Sequence, residues 1–117
     1  MRAVASPGRA NGQRGEIEAV IDGERRILCM TLGALAELET VFGVDNIADL
    51  AGRFTGGRVG TRDVMAIIAA GLRGGGNVVD ADDLADCHVE GGIGGAMRLA
   101  ARLLESAFAA GEPQPNP

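Results

Sequence analysis

The dipeptide Asp22-Gly23 constrains the fold more than any other feature of this 117-residue chain. It separates two apolar-containing runs, Glu16–Ile21 and Arg25–Thr31, which are predicted to be strands. Asp-Gly between such runs indicates a β-hairpin, because glycine accepts a positive φ without a steric clash. Two- and three-residue loops would pair different faces of the strands, so the register stays open. An isolated hairpin is marginal in water, and we therefore expect it to pack on a helix.

A helix is predicted directly after the hairpin. Thr31 is a suitable N-cap, and Gly43 is suited to end the helix after Phe42. At ~100° per residue, four apolar residues share one arc and are predicted to face inward: Leu32, Leu35, Leu38 and Phe42. Glu39 lies in the same arc. Its carboxylate either reaches water from the edge of this face or contacts an arginine of a partner, which makes Glu39 a candidate partner-contact residue.

Four further helices are predicted from apolar periodicity, capping residues and glycine breaks. In chain order they run from Asp45 or Asn46 to about Arg53, from Arg62 to Leu72 after a Thr61 cap, from Asp80 to about Val89, and from Ile93 to Ala109. With the hairpin they give an α+β, mainly helical fold, in which an N-terminal β-hairpin packs on about five short helices. The predicted domain organisation is a flexible arm at 1–13, one small globular domain at 14–110 and a disordered Pro-rich tail at 111–117.

The last helix has an unusually wide apolar face. Its predicted inward stripe consists of Ile93, Ala96, Met97, Ala100, Leu104, Ala107 and Phe108. Leu99 and Leu103 lie on the flank of this stripe and widen it. Such a face indicates a second contact, either inside the domain or with a partner protein. Leu99 and Leu103 are therefore also candidate partner-contact residues.

Composition argues against nucleic-acid binding. The net charge is −5, and the chain contains neither Trp nor Tyr, whereas nucleic-acid binders usually combine a basic patch with stacking aromatic residues. The two cysteines, Cys29 and Cys87, form no C-x-x-C pair, and we expect both to be structural, as in a reducing cytoplasm. No apolar run reaches the roughly 18 residues of a membrane span, and the N-terminus lacks the apolar core of a signal peptide.

Several segments could suggest catalysis or ligand binding, and none has the full residue set. Gly52–Thr61 has the glycine spacing of a P-loop, but Arg58-Val59 replaces the Lys-Ser/Thr that would meet phosphate and Mg²⁺. The glycines in Leu72–Asn77 could cradle an anion, although a helix break is the simpler interpretation. The Cys87-His88 pair lacks the second pair of ligands that zinc needs. A Cys29–His88 dyad is not excluded, but nothing in the pattern supports it.

The last candidate for catalysis is a cluster of four acidic residues: Asp80, Asp82, Asp83 and Asp86. Such acids could act in general acid–base catalysis, but at a helix start they are usually caps and solvated surface. We therefore predict a non-enzymatic protein with no catalytic, cofactor-binding or metal-binding residues and no cofactor. A binding or assembly role is the better class.

The segment that begins RGEIEAVIDGERRILCMTLGALAELETVFGVDNIADLAGRF resembles the gene transfer agent family of small tail proteins. That family belongs with the phage tail assembly chaperones and is also catalogued as tail tube proteins. DVMAIIAAGLRGGG and GGIGGAMRLAARLLESAF follow in the order seen in the family. The likeness covers about residues 14–109, and the hairpin followed by TLGALAELE is its most specific part.

The resemblance implies a role in building a tail around its tape-measure protein. The leading hypothesis is a tail assembly chaperone of a gene transfer agent or prophage, with the tape-measure protein and tail tube subunits as partners. The alternative is a structural tail tube component that stays in the particle. Direct nucleic-acid and membrane contacts are not expected, and homo-oligomerisation is left open. The expected location is the bacterial cytoplasm, with the tail particle as the alternative for a structural component. The resemblance supplies no catalytic residues.

Overall fold

The fold is a β-hairpin packed against a helical layer whose centre is one long buried helix. The computed structural model describes residues 2–3 and 15–111, with side chains described for residues 15–108. The elements in chain order are β1 (Arg2–Ala3), β2 (Glu16–Ile21), β3 (Glu24–Cys29), α1 (Leu32–Phe42), α2 (Ile47–Thr55), α3 (Thr61–Gly74), β4 (Asn77–Val78), a 3-10 helix (Ala81–Asp86) and α4 (Gly92–Gly111). This confirms the predicted α+β, mainly helical class.

The hairpin turns at the predicted dipeptide. Asp22 has φ 55° and Gly23 has φ 75°, the two positive values of a two-residue type I′ turn. Ile21 therefore pairs with Glu24, and the second strand begins one residue earlier and ends two residues earlier than predicted. This register directs Ile17, Ile21 and Leu28 toward the core.

Helix α1 has the predicted ends. The Thr31 hydroxyl accepts a hydrogen bond from the backbone N–H of Ala34 at 3.1 Å, and Gly43 adopts φ 67° after the last turn. The predicted inward position of Leu32 is wrong, because its side chain is 86% exposed. Ala34, Leu38 and Phe42, spaced four residues apart, form the buried row instead and turn the first residue of the helix outward.

Helices α2 and α3 begin with different capping contacts. Asn46 accepts the backbone N–H of Asp49 at 2.9 Å, as one of the two predicted caps of α2. The predicted Thr61 cap of α3 is wrong, since Thr61 already lies inside the helix and Gly60 precedes it. There the Asp63 carboxylate accepts the Gly60 N–H at 2.9 Å, so an acid in the first turn satisfies the helix start in place of the threonine.

Helix α3 is the centre of the core and contacts α1, α4, β3, β4 and the 3-10 helix. The residues predicted to face inward are buried there: Val64, Ile67, Ile68 and Leu72. Gly71 allows a close approach to α4, because a Cβ at this position would lie 2.9 Å from Leu103 Cδ1. A glycine inside α3 therefore costs helix propensity but permits tight helix packing.

The predicted helix from Asp80 to Val89 is only partly correct. A 3-10 helix covers Ala81–Asp86 and ends before Cys87. Val89 lies outside any helix and forms an isolated antiparallel bridge with Ile21. The segment after the 3-10 helix is thus bound to the hairpin, because pairing with the end of β2 satisfies backbone groups that a longer helix would have used.

The predicted inward stripe of α4 is rotated from the observed one. The residues buried on this helix are Ala96, Leu99, Ala100, Leu103, Leu104 and Ala107. Ile93, Met97 and Phe108 were predicted to face inward, but they are 63%, 37% and 36% exposed. The buried row follows the spacing i, i+3, i+4, i+7, i+8, i+11, which places Leu99 and Leu103 in the middle of the core face.

Both ends of the chain lie partly outside the described residues. Arg2–Ala3 pairs antiparallel with Asn77–Val78, which joins the first predicted segment to the turn after α3. The rest of the arm predicted at 1–13 lies outside the described residues. The same holds for 112–117 of the predicted tail, whereas Gly111 is the last residue of α4.

Candidate interaction surface

The three candidate contact residues have different surroundings. Glu39 is half-buried on α1. Leu99 is 5% exposed and Leu103 is fully buried, so both belong to the domain's own core. Internal packing, one of the two alternatives for the wide face of α4, therefore accounts for both leucines. A partner that reached either leucine would first have to displace α4.

The Leu72–Asn77 segment packs on β3. A Cβ at Gly74 would lie 1.9 Å from the carbonyl oxygen of Cys29, and one at Gly75 would lie 1.9 Å from that of Ile27. The Asn77 side-chain amide donates to Ile27 O and Leu72 O, each at 3.0 Å. These glycines end α3 against the backbone of the hairpin, which supports the helix-break interpretation.

The P-loop-like segment joins α2 to α3 at the edge of an open polar cleft of about 740 Å³. Arg53 and Arg58 line this cleft together with Asp45 and Asp49. The Arg53 guanidinium lies 5.3 Å from the centre of the Phe42 ring and donates to the Phe42 carbonyl at 3.4 Å. Arg53 therefore packs α2 against α1, a structural use that fits a cation–π contact.

The Cys87-His88 pair is fixed at the turn of the hairpin. The Asp22 carboxylate accepts the His88 N–H at 2.7 Å, while the Asp22 N–H donates to the His88 carbonyl, also at 2.7 Å. Burial raises the pKa of the Cys87 thiol, and its hydrogen bond to Asp22 raises this pKa further. A thiol with a raised pKa is a poor nucleophile and a poor metal ligand.

The structure does not bring the hypothetical Cys29–His88 dyad together. Cys29 pairs with Glu16 at the open end of the hairpin, whereas His88 contacts Asp22 at the turn. Five strand residues separate these two ends, roughly 17 Å at about 3.4 Å per residue. Among the residues with described side chains, no group of three His, Cys, Asp or Glu could hold a metal ion.

The contact between Asp22 and His88 predicts a pH-dependent stability. The backbone N–H of His88 is the main cause that lowers the pKa of Asp22 below its ordinary value of 3.8. A lowered pKa in the folded state stabilises the fold above the unfolded pKa, and this contribution is lost as the pH falls through the folded pKa.

We therefore expect Asp22→Asn to melt below the wild type at pH 7, and we expect the difference in melting temperature to shrink as the pH falls below 3.8. Asparagine also accepts the positive φ of this turn, so the substitution removes the charge and keeps the turn. Thermal melts followed by circular dichroism would measure the difference. Equal melting temperatures at pH 7, or a difference that persists in acid, would contradict the account.

An apolar groove of about 280 Å³ lies between α3, the 3-10 helix and the start of α4. Its lining includes Val64, Met65, Leu84, Val89, Ile93 and Ala96. Ile93 is largely exposed and Met65 is half-buried, so the groove opens to the surface. Met97 and Phe108 continue the exposed apolar line along α4.

Sequence reasoning missed this groove. Its lining comes from α3, the segment Leu84–Val89 and the start of α4, and the periodicity of each element does not show how these elements pack together. The available signal was the spacing of Ile93, Met97 and Phe108 along one side of α4, which the sequence prediction assigned to the core. No helix within the described part of the chain is long and apolar enough to span a membrane.

One protein family matches nearly the whole folded region. The model of the family described as phage tail tube protein, GTA-gp10, matches residues 14–110. The chain belongs to this family. The GTA-gp10 match confirms the resemblance to gene transfer agent tail proteins that the hairpin and the following helix indicated. No curated protein and no solved structure matches the chain significantly.

The GTA-gp10 family is named for the tail tube, which was the alternative to the chaperone in the sequence-based hypothesis. Its match begins just before β2 and ends within α4, so it spans the hairpin, the core helices and the apolar groove. The tape-measure protein does not appear in the family's description, and this partner stays a prediction.

Proposed function

We propose that the protein is a structural component of a phage-like tail, that it contacts tail tube subunits and that it stays in the assembled particle. The observation that carries this proposal is the family match over residues 14–110, because that family is described as a tail tube protein. The proposed role is not enzymatic and needs no cofactor. Two observations support a non-enzymatic role. The pKa of the Cys87 thiol is raised, and the residues that could suggest a ligand loop, Gly74, Gly75 and Arg53, make packing contacts inside the domain.

Co-sedimentation with tail particles tests the proposal. The chain would carry an epitope tag after Pro117, and particles from a producing culture would be separated on a density gradient and probed for the tag. We expect the tag to follow the particle peak and to resist a high-salt wash. A tag that stays at the top of the gradient, in a strain whose particles are complete, would contradict retention in the tail.

A tail assembly chaperone is the second candidate. It is favoured by the sheets of the described residues, each of which has only two strands, because tube rings commonly close through extended β-structure. The open apolar groove also suits transient binding of a helix. Co-expression with the tape-measure protein of the same gene cluster tests this candidate. A soluble complex of the two proteins, together with absence from finished particles, would favour the chaperone over the structural component.

A further inference from the structure

We propose that the apolar groove between α3, the 3-10 helix and α4 holds a basic amphipathic helix of another tail protein. The partner is specified by its chemistry, and its identity as a tail protein rests on the proposed function. It concerns a surface to which the family's description assigns nothing. Three features of the described residues carry it: the length of the apolar line, the charge at its rim and the absence of a backbone edge.

The apolar line has the length of a helix of about four turns. Ile93 and Phe108 are fifteen residues apart on α4, which corresponds to about 22 Å at 1.5 Å per residue. Met97 lies between them on the same side of the helix, and all three side chains are more than a third exposed. A partner helix with apolar residues at i, i+3, i+4 and i+7 would cover such a line.

The rim of the groove is acidic. Asp82 and Asp86, on the 3-10 helix that forms one wall of the groove, are exposed, and no ion pair among residues 15–108 includes either of them. Arg62, at the start of α3, follows Thr61 of the lining and places one positive charge against these two carboxylates. The net negative rim complements a helix that carries Lys or Arg beside its apolar face.

The groove fits a helix better than a strand or a second copy of this chain. Its walls come from two α-helices, the 3-10 helix and the non-helical segment Cys87–Val89. The helices offer ridges and grooves, and in the segment the His88 backbone already bonds Asp22 while the Val89 carbonyl accepts the Gly92 N–H. In a two-fold dimer through this groove the same acidic rim would face itself, because the same patch is used twice. A net charge of −5 adds to that repulsion.

Methionine NMR on the full chain provides the test. The probe is an 18-residue Leu/Lys amphipathic peptide, and its control is a Leu/Glu peptide with the same apolar pattern. With ¹³C-methyl methionine, Met65 reports on the groove and Met97 on the exposed line, while Met30 is 7% exposed and reports on the core. We expect the Leu/Lys peptide to shift Met65 and Met97 and to leave Met30 unchanged, and the Leu/Glu peptide to shift none of them.

Two matched pairs of variants distinguish peptide binding in the groove from nonspecific electrostatic attraction of the peptide to the protein. Asp86→Lys should weaken Leu/Lys binding about two- to fivefold more than Asp45→Lys, which makes the same charge change on the loop before α2. Ile93→Ser should weaken it about tenfold, whereas Leu32→Ser, also at an exposed position on another helix, should have little effect. All four positions are exposed, so we expect the variants to fold.

Several results would overturn the inference. Equal binding of the Leu/Glu peptide, equal effects of Asp86→Lys and Asp45→Lys, or unchanged Met65 and Met97 signals would each remove the proposed partner chemistry. Shifts of Met65 and Met97 that depend on protein concentration without peptide would assign the groove to a second copy instead. None of these outcomes alters the particle measurement, so failure here is distinguishable from failure of the proposed tail function.

Discussion

Gly75→Ala should destabilise the domain by about 3 kcal/mol, near the upper end of the usual cost of overpacking. The new Cβ would lie 1.9 Å from the carbonyl oxygen of Ile27 and 2.7 Å from its carbonyl carbon. Both atoms belong to the backbone of β3, so no side-chain rotation relieves the clash. Either the turn after α3 or the hairpin must move. Urea unfolding followed by far-ultraviolet circular dichroism measures the loss and suits a chain without Trp or Tyr.

Gly52→Ala is the matched control for this experiment. Gly52 is an exposed position inside α2, and a Cβ there meets no atom within 4 Å. Alanine has the higher helix propensity, so we expect this variant to be up to about 1 kcal/mol more stable. Equal stability of Gly75→Ala and Gly52→Ala would contradict the close packing of the Gly74–Gly76 turn on the hairpin.

Leu103→Ala should cost about 3–5 kcal/mol, the range found when a fully buried leucine is truncated in a well-packed core. Leu103 is 0% exposed and packs directly against Gly71 of α3. Alanine would leave a cavity at the centre of this contact. The same urea titration measures the effect, and the total stability of a domain of this size is only about 5–15 kcal/mol.

Leu32→Ala makes the same chemical change on the surface. Leu32 is 86% exposed, so its truncation should change the free energy of unfolding by no more than about 0.5 kcal/mol. A surface role for Leu103 would instead appear as a small loss similar to that of Leu32→Ala. The pair of variants thus decides between internal packing and partner contact for the central leucine of α4.

Local signals were sufficient for the hairpin and for several helix ends. The Asp22-Gly23 turn, the Thr31 N-cap and the end of α1 at Gly43 each depend only on a few neighbouring residues. All three are confirmed. The face of a wide amphipathic helix is a different matter. Apolar residues cover more than half of α4, so periodicity alone does not fix which part of the face is buried. The prediction was right for four residues of the buried face and wrong for Ile93, Met97 and Phe108, which are exposed.

Long-range contacts explain the remaining differences. Val89 joins the hairpin edge, because Ile21 lies opposite it in the folded chain, and this ended the predicted helix early. The tight packing of Gly75 on Ile27 depends on two segments almost fifty residues apart. The groove depends on how α3, the 3-10 helix and α4 pack on one another, which the apolar periodicity of each element does not show.

The functional prediction came from the family likeness, because the motifs considered in the sequence each lacked part of a catalytic or ligand-binding residue set. The match over residues 14–110 narrows the class to a tail protein. Within that class, a retained subunit and a transient chaperone differ in one physical quantity, the number of copies left in a finished particle.

Absolute copy number in purified particles is therefore the most direct test of the proposed structural role. The tryptic peptide Asp63–Arg73, which follows Arg62 and covers most of α3, can serve as an isotope-labelled standard for quantitative mass spectrometry. The proposed role predicts a fixed, whole-number ratio of this chain to the other tail subunits in every preparation. Complete, active particles that lack the peptide would contradict it.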